Sequence, residues 1–136
     1  MLHRLGEPTE RDVLLFTETD ETFWVAVHES RSRELILVHC EHTDRAEAWA
    51  ISSDDPASGP RRIIPRGAPH EFQLDHFRGR FLIRTNRGAP DFRLVTTTEE
   101  RPADETSWTD LVPARQDVQL EGFEIFETHL ALFERR

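Results

Sequence analysis

The feature that most constrains this chain is a unit of sequence written twice. The first copy runs EAWAIS, PRRIIPRGAPHEFQLDHF and RFLIRT; the second runs DFRLVT, WTDLVPARQDVQLEGF and HLALFER. Ala50 aligns with Leu94, Pro65 with Pro113, Phe72 and Leu74 with Val118 and Leu120, and Leu82 with Leu130, at offsets of about 44 to 49 residues. Extended backwards, LILV (Leu35 to Val38) falls on FLIR (Phe81 to Arg84), and FWVAV (Phe23 to Val27) falls near FQLDH. Units of that length, with apolar residues alternating at period two, predict antiparallel four-stranded blades of a β-propeller. The chain then holds about two and a half blades, and because closure takes about four to eight, it reads as an arc of a larger ring.

On this register residues 1–20 end a preceding blade, 21–66 and 67–115 are blades, and 116–136 is a half blade. Val13 to Thr17 reads as a short strand, and Phe23 to His28 as a half-buried one. DDPASGP (Asp54 to Pro60) and NRGAP (Asn86 to Pro90) are turn sequences, and Arg62 to Ile64 ends at Pro65 as an outer edge strand should. Glu99 to Ser107 is polar and reads as the most mobile loop. GFEIFETHLALF has a helical look, but the repeat register makes it strand. Phe72, Leu74, Leu82, Ile83, Phe92 and Leu94 are expected to fill one blade, and Trp24, Leu35, Leu37, Trp49 and Ile51 the one before it. The fold class is all-β.

The charge narrows the partners. A net charge of −9 over 136 residues disfavours nucleic acid, whose phosphates need a basic face. All 17 basic residues are Arg, which carries no functional weight here. Cys40 is the only cysteine, so no intrachain disulfide forms. No apolar run is long enough for a membrane helix and the first residues lack an apolar signal core, so the expected location is the cytoplasm.

Chemistry is sparse on this background. No G-x-S-x-G elbow occurs, and the serines sit in the polar turns ESRS and SSDD, so no catalytic residue is assigned. His39, Cys40, Glu41 and His42 form the densest metal-like run, but on a strand His39 and Glu41 point to one face and Cys40 and His42 to the other. His3, His28, His70, His76 and His129 have no partner at ligand spacing, so neither a metal nor a cofactor is expected. Arg66, Arg84, Arg87 and Arg115 follow strands and could form ion pairs between blades.

The stretches DETFWVAVHESRSRELILV, EAWAI, PRGAPHEFQLDHFRGRFLIRTNRGAPDFRLV and WTDLVPARQDVQLEGFEIFETHLALFER resemble the propeller domain of the prolyl oligopeptidase family of serine peptidases, nearest its oligopeptidase B (protease II) branch. RFLIRTN, RGAP and DFRLV carry the resemblance most specifically. It implies a propeller that caps an α/β-hydrolase domain, admitting short peptides to a catalytic triad outside this chain, with cleavage after basic residues. It also implies that the turns between second and third strands, Cys40 to Arg45 and Asn86 to Pro90, face that domain, making His39, His42, Thr43, Asn86 and Arg87 the candidates to face substrate. The family's usual Asn before the aromatic-Arg-Leu strand is Asp91 here, and only Thr43 and Glu47 remain of a Ser-Thr-rich turn. The alternative is a free-standing propeller-like or β-sandwich binding module without a catalytic partner. As an arc, the chain is expected to expose blade faces and unpaired strand edges, and so to self-associate.

Overall fold

The computed structural model describes residues 2, 5–43, 45–67 and 70–136; His3 and Asp44 therefore lie outside the described residues. The strands are β1 (Trp24–Glu29), β2 (Leu35–Glu41), β3 (Ala46–Ser52), β4 (Arg61–Ile64), β5 (Phe72–Phe77), β6 (Arg80–Thr85), β7 (Arg93–Thr98), β8 (Thr109–Val112), β9 (Gln119–Ile125) and β10 (Leu130–Arg135). They form three antiparallel sheets in sequential order: β1 to β4, β5 to β8, and the pair β9–β10. The all-β reading of two four-stranded sheets and half of a third is thus borne out. The segment with a helical look is the β9–β10 hairpin, closed where Phe126 N donates to the carbonyl of His129 at 2.8 Å. No helix among the described residues is long and apolar enough to cross a membrane.

Local chemistry explains the hairpins. Between β5 and β6, Arg78 and Gly79 both take positive φ (50° and 73°), the geometry of a two-residue turn whose twist matches its strands. The outer pairs carry a feature that periodicity does not reveal. β3 and β4 shift register between Ala48 and Trp49, and β7 and β8 shift between Leu94 and Val95. Ala48 faces Ile64 and Leu94 faces Val112, so the counterpart of Leu94 is Ala48, two residues from the Ala50 alignment. An offset of two leaves each side chain on its face, which is why the pattern alone did not expose it. Pro65 and Pro113 directly follow β4 and β8, where a missing N–H costs no ladder bond.

Packing occurs in the seams between sheets. Leu37, Ala48, Ala50, Ile63 and Ile64 of the first sheet meet Phe72, Leu74, Phe81, Ile83 and Val95 of the second. Phe92 and Leu94 meet Leu120, Phe123 and Ile125 of the third. The other face of the first sheet, with Val38, Cys40 and Ile51, is covered by Leu15, Phe16 and Phe23. Three expectations are corrected here. Val13 to Thr17 is not a strand: Val13 makes a single bridge to Leu2, and Leu15 and Phe16 instead pack as irregular chain. β1 is exposed along its whole length and Trp24 is 81% exposed, because an inner edge strand has no described layer over it. The loop Glu99 to Ser107 is tied down, with Trp108 Nε1 donating to the Pro102 carbonyl at 2.8 Å and Asp104 capping the Glu105–Ser107 turn.

Polar bonds stitch the seams. From the second sheet to the third, Gln73 Nε2 donates to the carbonyl of Phe123 (2.9 Å) and accepts from its N–H (3.3 Å), Arg84 Nε donates to the carbonyl of Leu120 (2.6 Å), and Arg78 to that of Glu127 (3.0 Å). Gly122 suits this closeness: a Cβ there would lie 3.3 Å from Gln73 Oε1, a tight contact that the amide would have to yield to. From the first sheet to the second, Ser32 Oγ bonds His76 Nδ1 (2.7 Å), Ser32 N donates to the His76 carbonyl (3.0 Å), and Arg31 N donates to Asp75 (2.8 Å).

Candidate functional site

The β2–β3 and β6–β7 turns lie at the same end of adjacent sheets. His39, two residues before the end of β2, stacks on Phe72 at 4.8 Å, and Phe72 pairs with Thr85, the last residue of β6. Arg66, just past β4, and His70, just before β5, lie beside the turns, the first paired with Glu47 and the second bonded to Thr85. The surface therefore gathers candidates from both sheets, and each is placed differently.

His39 faces the seam. Burial holds its imidazole below the usual histidine range, and its Nε2 is out of solvent without a hydrogen-bond partner among the described residues. His42 faces the other way, with its ring 5.4 Å from that of Phe23 and its N–H closing the turn onto the carbonyl of Arg45 at 2.8 Å. Thr43 is exposed at the tip. Asn86 exchanges bonds with the backbone of Glu71, its Oδ1 accepting at 3.0 Å. Arg87 donates its N–H to Thr85 Oγ1 (3.1 Å) and pairs with Glu105 at 3.4 Å. Asp91 is exposed and spends its carbonyl on Leu120 N at 2.9 Å. These groups share one surface but do not converge on one point.

The expected strand geometry of the metal-like run holds for His39 and Cys40, which lie on opposite faces. Cys40 is fully buried beside Glu18 and Glu47. Burial, with help from the two carboxylates, pushes its thiol up to about 11, so it is neither nucleophile nor ready ligand. The guanidinium of Arg66 bonds Glu18, pairs with Glu47 at 3.1 Å and lies 3.7 Å from the centre of the Phe23 ring. Arg66 also holds the Glu18 carboxyl below the usual carboxylate range. A cation in this cluster is thus already supplied by the protein. Of the arginines expected to pair between sheets, Arg66 acts within the first sheet and its preceding segment, Arg84 reaches a carbonyl of the third, Arg87 pairs within the second unit, and Arg115 pairs with Glu134.

Sequence spacing missed two constellations. His70 donates to or accepts from Thr85 Oγ1 at 2.6 Å, and burial followed by the nearby Arg87 charge depresses its imidazole to about 4. At the opposite end, His76 lies fully buried between Ser32 Oγ and Glu99 Oε1, 2.7 and 2.5 Å from its two nitrogens, with Glu34 at 3.8 Å. A serine of the polar turn ESRS does therefore touch an imidazole, that of His76, for which no partner was expected from sequence spacing. The arrangement fastens the seam rather than attacking a substrate: the ring has no exposure, and Ser32 Oγ is also engaged by Ser30 Oγ and the N–H of Glu34. Partners 44 and 23 residues away leave no local signal.

Comparison with known proteins agrees with this fold. The family model for the N-terminal β-propeller domain of prolyl oligopeptidase matches residues 1–136. Dipeptidyl aminopeptidase BI of Pseudoxanthomonas mexicana is 36% identical over 140 residues, spanning 98% of this chain and 18% of that protein. Protease 2 of Moraxella lacunata is 33% identical over 93 residues, spanning 68% of this chain and 14% of that protein. The structure of oligopeptidase B from Leishmania major superposes with a TM-score of 0.88 at 20% identity, over 98% of this chain and 19% of that one. The chain thus spans about a fifth of the length of these relatives.

Proposed function

The chain belongs to the prolyl oligopeptidase family, as part of its N-terminal β-propeller, and on that premise we propose that it gates access of short peptides to a serine-hydrolase domain outside these 136 residues. The parent activity on this reading is an endopeptidase that cleaves after basic residues in the cytoplasm. Residues 1–20 finish a preceding blade, 21–66 and 67–115 are blades, and 116–136 begin another. The observation that carries the reading is the shared end: the two second-to-third-strand turns form one surface, joined by the His39–Phe72 stack, which a second domain can cover. His42, Thr43, Asn86 and Arg87 then border the space between domains, where they meet substrate in transit and do no bond-breaking.

The test is a chimera in which this chain replaces the matching stretch of a family peptidase. It should cleave short Arg and Lys peptides and leave a folded protein intact. Loss of exclusion, with the folded protein degraded, overturns the gating role. The 136-residue chain alone should not hydrolyse Arg or Lys esters above buffer; turnover stopped by a serine-directed phosphonate would place a catalytic site within it.

A further inference from the structure

Four non-glycine residues among those described take a positive φ, and three of them, Arg33, Arg78 and Asp117, are exposed in turns. The fourth is Phe92, at φ 71° and only 6% exposed. The left-handed region crowds Cβ against a backbone carbonyl oxygen and disfavours an L-residue by about five- to thirtyfold. A bulky side chain stays there only where its surroundings hold it, and such positions concentrate where a fold must present something in a set geometry.

Phe92 closes the turn that opens at Asn86, and directly precedes β7. Its ring lies between the second and third sheets, with Leu94, Leu120, Phe123 and Ile125. The guanidinium of Arg84 covers that ring at 3.7 Å, while its Nε donates to the carbonyl of Leu120 at 2.6 Å. Asp91, the residue before, accepts from Leu120 N at 2.9 Å. The left-handed backbone is thus clamped from β9, a strand of the next sheet. Its effect is felt in the turn. Phe92 N donates to the carbonyl of Ala89 (2.8 Å) and Ala89 N to that of Asn86 (3.2 Å). Arg93, the residue after, returns its Nε to the carbonyl of Arg87 at 3.2 Å. Asn86 and Arg87 therefore take their places through a chain of bonds that starts at Phe92.

We propose that Phe92 is a positioning residue, whose left-handed backbone, held by the third sheet, presets the turn that displays Asn86 and Arg87. The proposal rests on the reading that these two residues border the space between domains, and adds that one blade sets the substrate-facing turn of its neighbour. Phe92→Ala and Phe92→Gly test it, because both remove the ring and only glycine holds a positive φ without strain. In an ordinary helix or strand glycine is the looser of the two; here the order should invert. Hydrogen exchange of the 136-residue chain, read at the amides of Ala89 and Leu120, should be about five- to thirtyfold faster in Phe92→Ala than in Phe92→Gly. A residue that acted only through its ring would leave the two variants alike. Equal rates, or faster exchange in Phe92→Gly, would overturn the proposal. Should either variant fail to fold, Arg84→Met removes the cover of the ring and should speed exchange at Ala89; unchanged exchange there would overturn the proposal as well. In the chimera, Phe92→Ala should raise KM for short peptides above that of Phe92→Gly while kcat stays alike, and equal KM values would remove the positioning role even where folded proteins are still excluded. The exchange measurement needs no hydrolase domain, so its failure is separate from failure of the gating reading.

Discussion

The hydroxyl of Ser32 and Nδ1 of His76 meet at 2.7 Å across the seam between the first two sheets, while the other ring nitrogen reaches Glu99 at 2.5 Å. One ring thereby ties the β1–β2 turn to the second sheet, and its complete burial makes each bond costly to lose. His76→Ala should destabilise the chain by about 3 kcal/mol, through the cavity and the unpaired Ser32. Ser32→Ala should cost about 1 kcal/mol. In a double-mutant cycle by chemical denaturation the two losses should be non-additive by more than about 0.5 kcal/mol; additive losses would show that the contact does not couple the sheets.

Arg66 sets a second test. It bridges Glu18 and Glu47 and stacks on Phe23, so it joins the segment before β1 to the first sheet. Arg66→Ala leaves two carboxylates near the buried thiol of Cys40 without a cation, and should cost about 3 kcal/mol. The native thiol should then become reactive to alkylating reagents, because the cover formed by Leu15, Phe16 and Phe23 loosens. Mass spectrometry showing equal protection in parent and variant would refute the coupling.

His70 makes stability depend on pH in a stated direction. Its imidazole titrates near 4 in the fold, against about 6.5 when unfolded. Above 6.5 neither state is protonated and the full stability is present. As pH falls from 6.5 toward 4, the unfolded chain takes up a proton that the buried ring refuses, and stability declines by on the order of 3 kcal/mol. His70→Gln, which can still bond Thr85, should flatten this part of the profile. Parallel curves for parent and variant between pH 6.5 and 4 would contradict it.

Association is the fourth expectation. β1 and β10 are sheet edges, and Trp24, Val27, Leu14 and Phe133 are 81%, 62%, 63% and 51% exposed. Unpaired edges with apolar side chains template pairing, and a charge of −9 is screened beyond about 8 Å at physiological salt. The isolated chain should therefore sediment as oligomers at micromolar concentration and melt at low temperature, and flanking blades should restore a monomer. A compact monomer with a sharp melt would favour the free-standing binding module.

Much of the architecture was legible because strands, turns and prolines are local signals. Pro65 and Pro113 mark the ends of fourth strands, and the alternation FQLDHF is buried at every second residue. What escaped depends on neighbours distant in sequence. Val13 to Thr17 has the composition of a strand, but among the described residues it pairs only through the bridge from Val13 to Leu2. Trp24 looks like core and is exposed, because the layer over an edge strand cannot be inferred from the strand itself. The same applies to the candidate site: the turn positions could be placed by repeat register, whereas Arg66 meeting Glu18 across 48 residues, and His76 meeting Ser32 across 44, required the fold.

The bonds from the second sheet to the third end on the carbonyls of Leu120, Phe123 and Glu127. A carbonyl is carried by every amino acid, so this joint reads the path of the next sheet and is blind to its alphabet. Gln73, Arg78 and Arg84 form a socket into which divergent sheets can be plugged, provided the backbone follows the same course. Sequence drift in one blade then need not be answered by drift in its neighbour, and a ring of such units can change its inner surface one blade at a time.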